Sequence, residues 1–206
     1  MNNPLREISR TPVFNIMNRL NLKTQKEYCI DCFSDRLQKT KRLYKCLNCG
    51  HKHQRSLYID PLLSWWLDNK RHLWHTSASI LVFNKFNKLL VFKRTRYPYS
   101  YSIPGGHVNL EESLDHAAKR ELEEEIGLKT PLKIFKEESV VGDKCRGGFD
   151  RHLWGLYKAK TNLSELPQIK EEGENAIWVD RDGLNKLPLA FGFKYFVKKY
   201  GDEIWA

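Results

Sequence analysis

The segment from Ser113 to Gly127 constrains this chain more than any other. Ala118, Leu122 and Ile126 recur every four residues, so on a helix they share one arc that a sheet must cover. Ser113 is placed to cap the start, Asp115 falls in the first turn, and Gly127 supplies the stop. Glu121, Glu124 and Glu125 lie at i, i+3 and i+4 and crowd the adjacent arc. Like-charge neighbours at this spacing cost roughly a few tenths of a kcal/mol each. In the last turns the helix dipole disfavours anions as well. No lysine stands four residues after Glu121; that position holds Glu125, and Arg120 is the nearest cation. A helix that breaks its own local rules usually does so at a functional site, and clusters of carboxylates bind hard divalent cations.

A chain of 206 residues has room for one sizeable core and a small accessory module. Its apolar fraction of 41% is that of a globular protein, and no stretch approaches the roughly 18 apolar residues of a membrane span. The first fourteen residues lack the apolar run of a secretory signal, so the expected compartment is the cytoplasm and no membrane partner is expected. In that compartment the five cysteines point away from disulfides. The formal charge of +10 is uneven: residues 1–60 hold 12 Lys or Arg against 5 Asp or Glu. Such a basic segment is either a footprint for RNA or another polyanion, or a solvated surface.

Along the chain, residues 1–25 show no periodicity and read as a partly ordered arm. Asp60-Pro61 is a helix-start signal, which predicts a short apolar helix over Leu62 to Leu67. Ser77 to Phe83 and Lys88 to Lys93 read as a hairpin about an Asn and Lys turn. Further strands are predicted over Leu132 to Val141, His152 to Ala159 and Ala176 to Asp180. Phe193, Phe196, Val197 and Tyr200 predict a closing amphipathic helix.

Cys29-x2-Cys32 and Cys46-x2-Cys49, thirteen residues apart, have the spacing of a closed Cys₄ zinc site. The loop between them is too short and polar for a core of its own, so structural Zn²⁺ would supply much of its folding energy. His51 and His53 are spare ligands expected outside the site, and Cys145 has no partner in this pattern.

Gly106, five residues, Glu112, seven residues and Arg120-Glu121-Leu122-Glu123-Glu124-Glu125-Ile126-Gly127-Leu128 together resemble the Nudix box at every specified position. The surrounding strands extend the likeness over roughly Trp74 to Tyr200. The resemblance implies a Nudix α/β/α sandwich with a mixed β-sheet, of α/β class, over residues 61–206, behind an arm and small N-terminal zinc ribbon over 1–60. It implies Mg²⁺ or Mn²⁺ at Glu121, Glu124 and Glu125, with a further oxygen from the Gly105 carbonyl, and Glu112 and Arg120 fixing loop and helix. The implied activity is hydrolysis of the pyrophosphate linkage in a nucleotide substrate, a nucleoside diphosphate derivative such as NADH or a capped RNA end. The general base is open between Glu124 and one of Glu171, Glu172 and Glu174. Arg94, Arg96 and His107 are candidate phosphate contacts, and Tyr97, Tyr99 and Tyr101 candidate stacking partners for a base.

A zinc ribbon before a Nudix domain resembles the architecture of NADH pyrophosphatases, but the Pro- and Trp-rich signature of that group is missing. So are the proline and tyrosine marks of ADP-ribose and dinucleoside polyphosphate hydrolases, which leaves the substrate open. Family members are often dimers, so a homodimer is an option. The competing class is a nucleotide- or RNA-binding protein that uses a Nudix scaffold and basic ribbon without catalysis. A combined version has the ribbon recruit an RNA whose 5′ end the Nudix site processes.

Overall fold

A computed structural model describes residues 26–40, 43–70, 72–170 and 173–206 of the chain. The arm expected over 1–25 lies outside them, as do Glu171 and Glu172.

The scaffold is a mixed sheet. Strands β7 (Leu73–Phe83), β8 (Leu89–Arg94), β11 (Leu132–Val141), β12 (Arg151–Lys160) and β13 (Gly173–Val179) run in the order β11-β12-β7-β8-β13. The β12–β7 pair is parallel and the other pairs along this path are antiparallel. The short β10 (Gly105–His107) adds to the edge of β7 with Gly105 opposite Ser79, and β9 (Tyr101–Ser102) adds to β8.

Alternation along β7 decides what each face carries. Ala78, Ile80 and Val82 point to helix α1 (Leu114–Ile126) and pack with Ala117, Ala118, Leu122 and Ile126. Leu81 and Phe83 point the other way, onto Phe193, Phe196 and Ile204 of helix α3 (Phe191–Trp205). Helix α2 (Arg181–Asn185) is a single short segment between sheet and α3. Among the described residues no helix is long and apolar enough to cross a membrane.

Ahead of the sheet, β1 (Lys26–Tyr28) pairs with β5 (Leu57–Ile59), and β2 (Leu37–Lys39), β3 (Tyr44–Cys46) and β4 (Lys52–His53) form a three-stranded ribbon. The boundary expected at residue 60 falls inside one apolar cluster, in which Tyr28, Leu57 and Ile59 pack with Trp65 and Phe149.

The helix expected over Leu62 to Leu67 is not formed. Asp60 does cap the Leu62 amide at 2.9 Å, but the turn ends there and Trp65–Leu67 becomes strand β6, antiparallel to β7. The two tryptophans explain the change. Trp65 is buried, its indole N–H donating to the Asp60 carbonyl at 3.1 Å, while Trp66 stacks on Trp74 across the ladder at 5.7 Å. Cross-strand aromatic pairing outweighs a helix signal of one cap.

Candidate active site

Helix α1 begins and ends as its sequence requires: the Ser113 hydroxyl accepts from the His116 amide at 3.2 Å, and Gly127 turns left-handed at φ 67°. Its glutamates are held in three different ways. Glu121 is buried against Gly106, where a β-carbon would come within 2.5 Å of the carboxylate. Glu125 accepts the Gly105 amide at 2.8 Å. Glu124 stands in solvent, with 60% of its side chain exposed. A side chain at 105 would strike Ser79 and the Ala78 carbonyl, so both glycines are demanded by close approach to β7 on one side and α1 on the other.

Arg120 organises this group. Its guanidinium donates in a fork to both oxygens of Glu112 at 2.9 Å, to Glu121 at 2.7 Å, to Glu124 at 3.0 Å and to the His107 carbonyl at 3.1 Å. Glu112 also accepts the Asn109 amide at 2.9 Å, and the Arg120 guanidinium holds its carboxyl down at about 2. The like-charge crowding read from the sequence is thus partly balanced by Arg120, which adjoins Glu121 and stands four residues before Glu124. Among the described residues the three helix glutamates do not gather their oxygens within 4.8 Å of one another; they are spread around Arg120 and the glycine pair. An all-carboxylate donor set held beside backbone glycines fits a hard divalent ion such as Mg²⁺ or Mn²⁺.

On the far side of Gly105 and Gly106 opens a cavity of about 230 Å³. Ser77 and Ser79 of β7 form its floor, while Arg94, Lys144 and Arg146 give it a positive rim and Tyr97 an aromatic wall. The Arg55 guanidinium lies 6.0 Å from the centre of the Tyr97 ring. Asp143 reaches in from the loop after β11, and burial raises its carboxyl although Trp154 Nε1 donates to it at 2.8 Å.

Of the expected substrate contacts, the structure brings Arg94 and His107 to this cavity and leaves Arg96 and Tyr101 outside its lining. The Tyr101 ring packs against the apolar core under α3, while its neighbour Ser102 lines the cavity. The His107 ring is already engaged, its Nε2 lying 3.1 Å from His75 Nδ1. Glu174, the described candidate in the acidic loop, is an exposed residue on β13 opposite Lys93. Lys144, Arg146, Asp143 and His152 carry no motif and were not foreseen; they reach the cavity through the β11–β12 loop and the sheet.

The four N-terminal cysteines come together as their spacing predicts. Cys29 and Cys49 sulfurs are 3.7 Å apart and Cys32 and Cys46 sulfurs 3.6 Å apart. Zinc–sulfur bonds of about 2.3 Å at tetrahedral angles place sulfurs about 3.8 Å apart, so the set has the dimensions of such a site. The Cys49 and Asn48 amides point at Cys46 Sγ and pull that thiol down to about 6, towards the thiolate a metal needs. His51 and His53 turn instead to Asp31, at 2.7 and 2.6 Å.

Comparison with known proteins agrees with this architecture. The family model of the NUDIX domain matches residues 73–200. An RNA pyrophosphohydrolase of Bartonella henselae is 27% identical over 150 residues, covering 59% of this chain and 85% of that protein. An ADP-ribose pyrophosphatase of Methanocaldococcus jannaschii is 31% identical over 123 residues, covering 58% and 69%. Among solved structures, a MutT protein from Methanosarcina mazei superposes with a TM-score of 0.54 at 20% identity, over 63% of this chain and 94% of that one. The NUDIX domain of Shewanella oneidensis NrtR, complexed with ADP ribose, gives 0.54 at 18% identity over 66% and 93%. At these identities the two structures speak for the fold alone.

Proposed function

The chain belongs to the Nudix family and is a Nudix hydrolase, and from that premise we propose that it cleaves the pyrophosphate linkage of a nucleoside diphosphate derivative bound in the cavity beside Gly105 and Gly106. The observation that carries this reading is the position of the glycine pair. It has the helix carboxylates on one side and a cavity with a cationic rim on the other, so a phosphate lying on these glycines touches both.

Mg²⁺ or Mn²⁺ held by Glu121, Glu124 and Glu125, with the Gly105 carbonyl as a further donor, would neutralise phosphate oxygens and lower the pKa of an attacking water. The side chains supply the rest. Arg94, Lys144 and Arg146 hold the negative charge of the pyrophosphate at the rim, and Tyr97 offers a face to the base. Arg120 and Glu112 keep the glutamates in register with the glycine loop. Glu124 is the proposed base, because it combines exposure with a fixed place next to Arg120. Four cysteinyl sulfurs at the dimensions above support structural zinc in the ribbon.

Turnover of a panel of nucleoside triphosphates, NADH, ADP-ribose and 5′-capped RNA with Mg²⁺ or Mn²⁺ tests this reading. At least one substrate is expected to be cleaved, and Glu124→Gln or Glu125→Gln should reduce its turnover about 10²–10³-fold with melting unchanged. No turnover of any member with either metal would overturn it. A second reading, in which the ribbon also grips RNA, is favoured by the exposed ring of Phe33 and by Lys39, Lys45 and Lys52, which stand exposed on β2, β3 and β4. It requires salt-dependent RNA binding by the full chain that weakens in K45A/K52A, and it is dropped if no binding occurs at low salt.

A further inference from the structure

Four side chains that the proposed hydrolysis does not use meet on one wall of the cavity. His75 of β7, His107 of β10, His152 of β12 and Cys145 of the β11–β12 loop each bring a ligand atom to within 4.8 Å of the others. We propose that they form a second metal site, a His₃Cys set that binds a borderline-soft divalent cation such as zinc, separate from the ribbon cysteines and from the α1 glutamates.

Three observations carry the assignment. The first is distance. Zinc–nitrogen bonds of about 2.0–2.1 Å and zinc–sulfur bonds of about 2.3 Å at tetrahedral angles give edges of about 3.3–3.4 Å between nitrogens and about 3.6 Å between nitrogen and sulfur. His75 Nδ1 lies 3.1 Å from His107 Nε2 and 3.9 Å from Cys145 Sγ, one edge slightly short and one slightly long.

The second is hydrogen bonding. A neutral imidazole has one donor and one acceptor, and buried polar atoms are nearly always paired. His75 is 1% exposed, stacked on Phe149 at 3.5 Å between ring centres, and its Nε2 has no hydrogen-bond partner. His152 is 2% exposed, and its Nδ1 makes no hydrogen bond although Asp143 Oδ2 is 3.3 Å away. A cation at the centre takes one lone pair from every ring at once; it leaves His75 Nε2 unpaired, because Nδ1 is the atom that faces the cluster, but on His152 it turns Nδ1 into a donor facing Asp143. Asp143 then stands where an outer carboxylate orients a ligating imidazole.

The third is donor chemistry. Three nitrogens and a sulfur suit zinc and its neighbours and not Mg²⁺ or Mn²⁺, which the glutamates suit.

With four protein ligands the site is closed and so structural rather than catalytic. It would fasten the loop over 142–150 to β7, β10 and β12. The same loop meets the base of the ribbon: the Tyr58 amide donates to the Gly147 carbonyl at 2.9 Å, and Arg55 Nη1 donates to the Phe149 carbonyl at 3.0 Å. An ion here therefore sets the cavity wall that carries Lys144 and Arg146.

Zinc content of the full chain, measured by elemental analysis after dialysis, tests the proposal. About two ions per chain are expected in the wild type, about one in Cys145→Ser and about one in Cys46→Ser. Zinc-edge X-ray absorption of the wild type needs no variant and should show nitrogen beside sulfur in the first shell; with Cys46→Ser the spectrum should become mostly nitrogen. A single zinc that disappears in Cys46→Ser and persists in Cys145→Ser would overturn the proposal. So would a sulfur-only shell in the wild type, or two zincs unaffected by Cys145→Ser. Circular dichroism of each variant separates lost ligation from lost folding, and the wild-type spectrum decides the matter if a variant does not fold.

Discussion

The ribbon and the sheet body are held together by different forces. From Lys26 to His53 the buried apolar side chains are Tyr28, Cys29 and Cys46, while Phe33, Leu43 and Leu47 stand exposed. In the body, Ile80, Leu81, Phe92, Phe193, Phe196 and Leu156 are almost wholly removed from water on the two faces of one sheet. At roughly 25 cal/mol per Å² of apolar surface, the body can fold on burial and the ribbon cannot. The zinc proposed for the ribbon would fill that gap by cross-linking it. Within the body the same contrast recurs in miniature: the α1 glutamates offer hard oxygen and the histidine cluster softer nitrogen and sulfur, one on either side of the glycine pair.

Removing zinc is the most severe way to break this comparison. Structural zinc contributes about 10–16 kcal/mol of apparent binding energy in small finger modules. With Cys46→Ser, hydrogen exchange should lose protection at Cys29, whose amide bonds the Ser34 carbonyl, and at position 46, whose amide bonds the His51 carbonyl. Strands β7 and β12 should keep theirs. Equal protection in both states would mean the ribbon has a core that its burial pattern does not show.

Phe196→Ala attacks the opposite side of the contrast. The ring is fully buried between α3 and the sheet, and its loss should cost about 3–5 kcal/mol in urea unfolding while ribbon zinc stays bound. A drop in zinc content with mild denaturation would show that the two regions unfold together.

Glu112→Gln sharpens the role of the ion pair. It removes charge-assisted bonds from Arg120 and should destabilise by about 1.5–3 kcal/mol at neutral pH. Because the folded carboxyl titrates at about 2, below its ordinary value of 4.5, its contribution is complete above 4.5 and fades as the pH falls through about 2. Melts of wild type and variant should therefore converge at low pH; a constant gap would remove the ion pair as the cause. Ser113→Ala has the smallest expected effect, about 1 kcal/mol, read as a lower melting temperature from loss of the α1 cap.

Local signals in the chain were sufficient for much of this. Both caps of α1, the span of β11 and the burial of Phe193 and Phe196 on α3 follow from periodicity and capping residues, since each depends on neighbours within one turn or pleat; Ile204 does not, because the helix kinks at Tyr200 before it. The cysteine pairs were legible because each two-residue gap already fixes a pair of ligands on one turn. The tryptophan strand was not, because Trp65 and Trp66 gain their partners, His75 and Trp74, from a strand that folds back beside them.

What the sequence determined by itself is the kind of chemistry: a glycine loop, an acidic helix and two thiol pairs at spacings that short-range geometry makes meaningful. What only the tertiary structure decided is who faces the cavity. His152 sits beside His75 because β12 pairs parallel with β7 in that register, and His107 arrives opposite Ser77 by an antiparallel addition at the other edge. No spacing along the chain encodes those meetings, since a one-residue slip in either pairing would turn the rings to the opposite face.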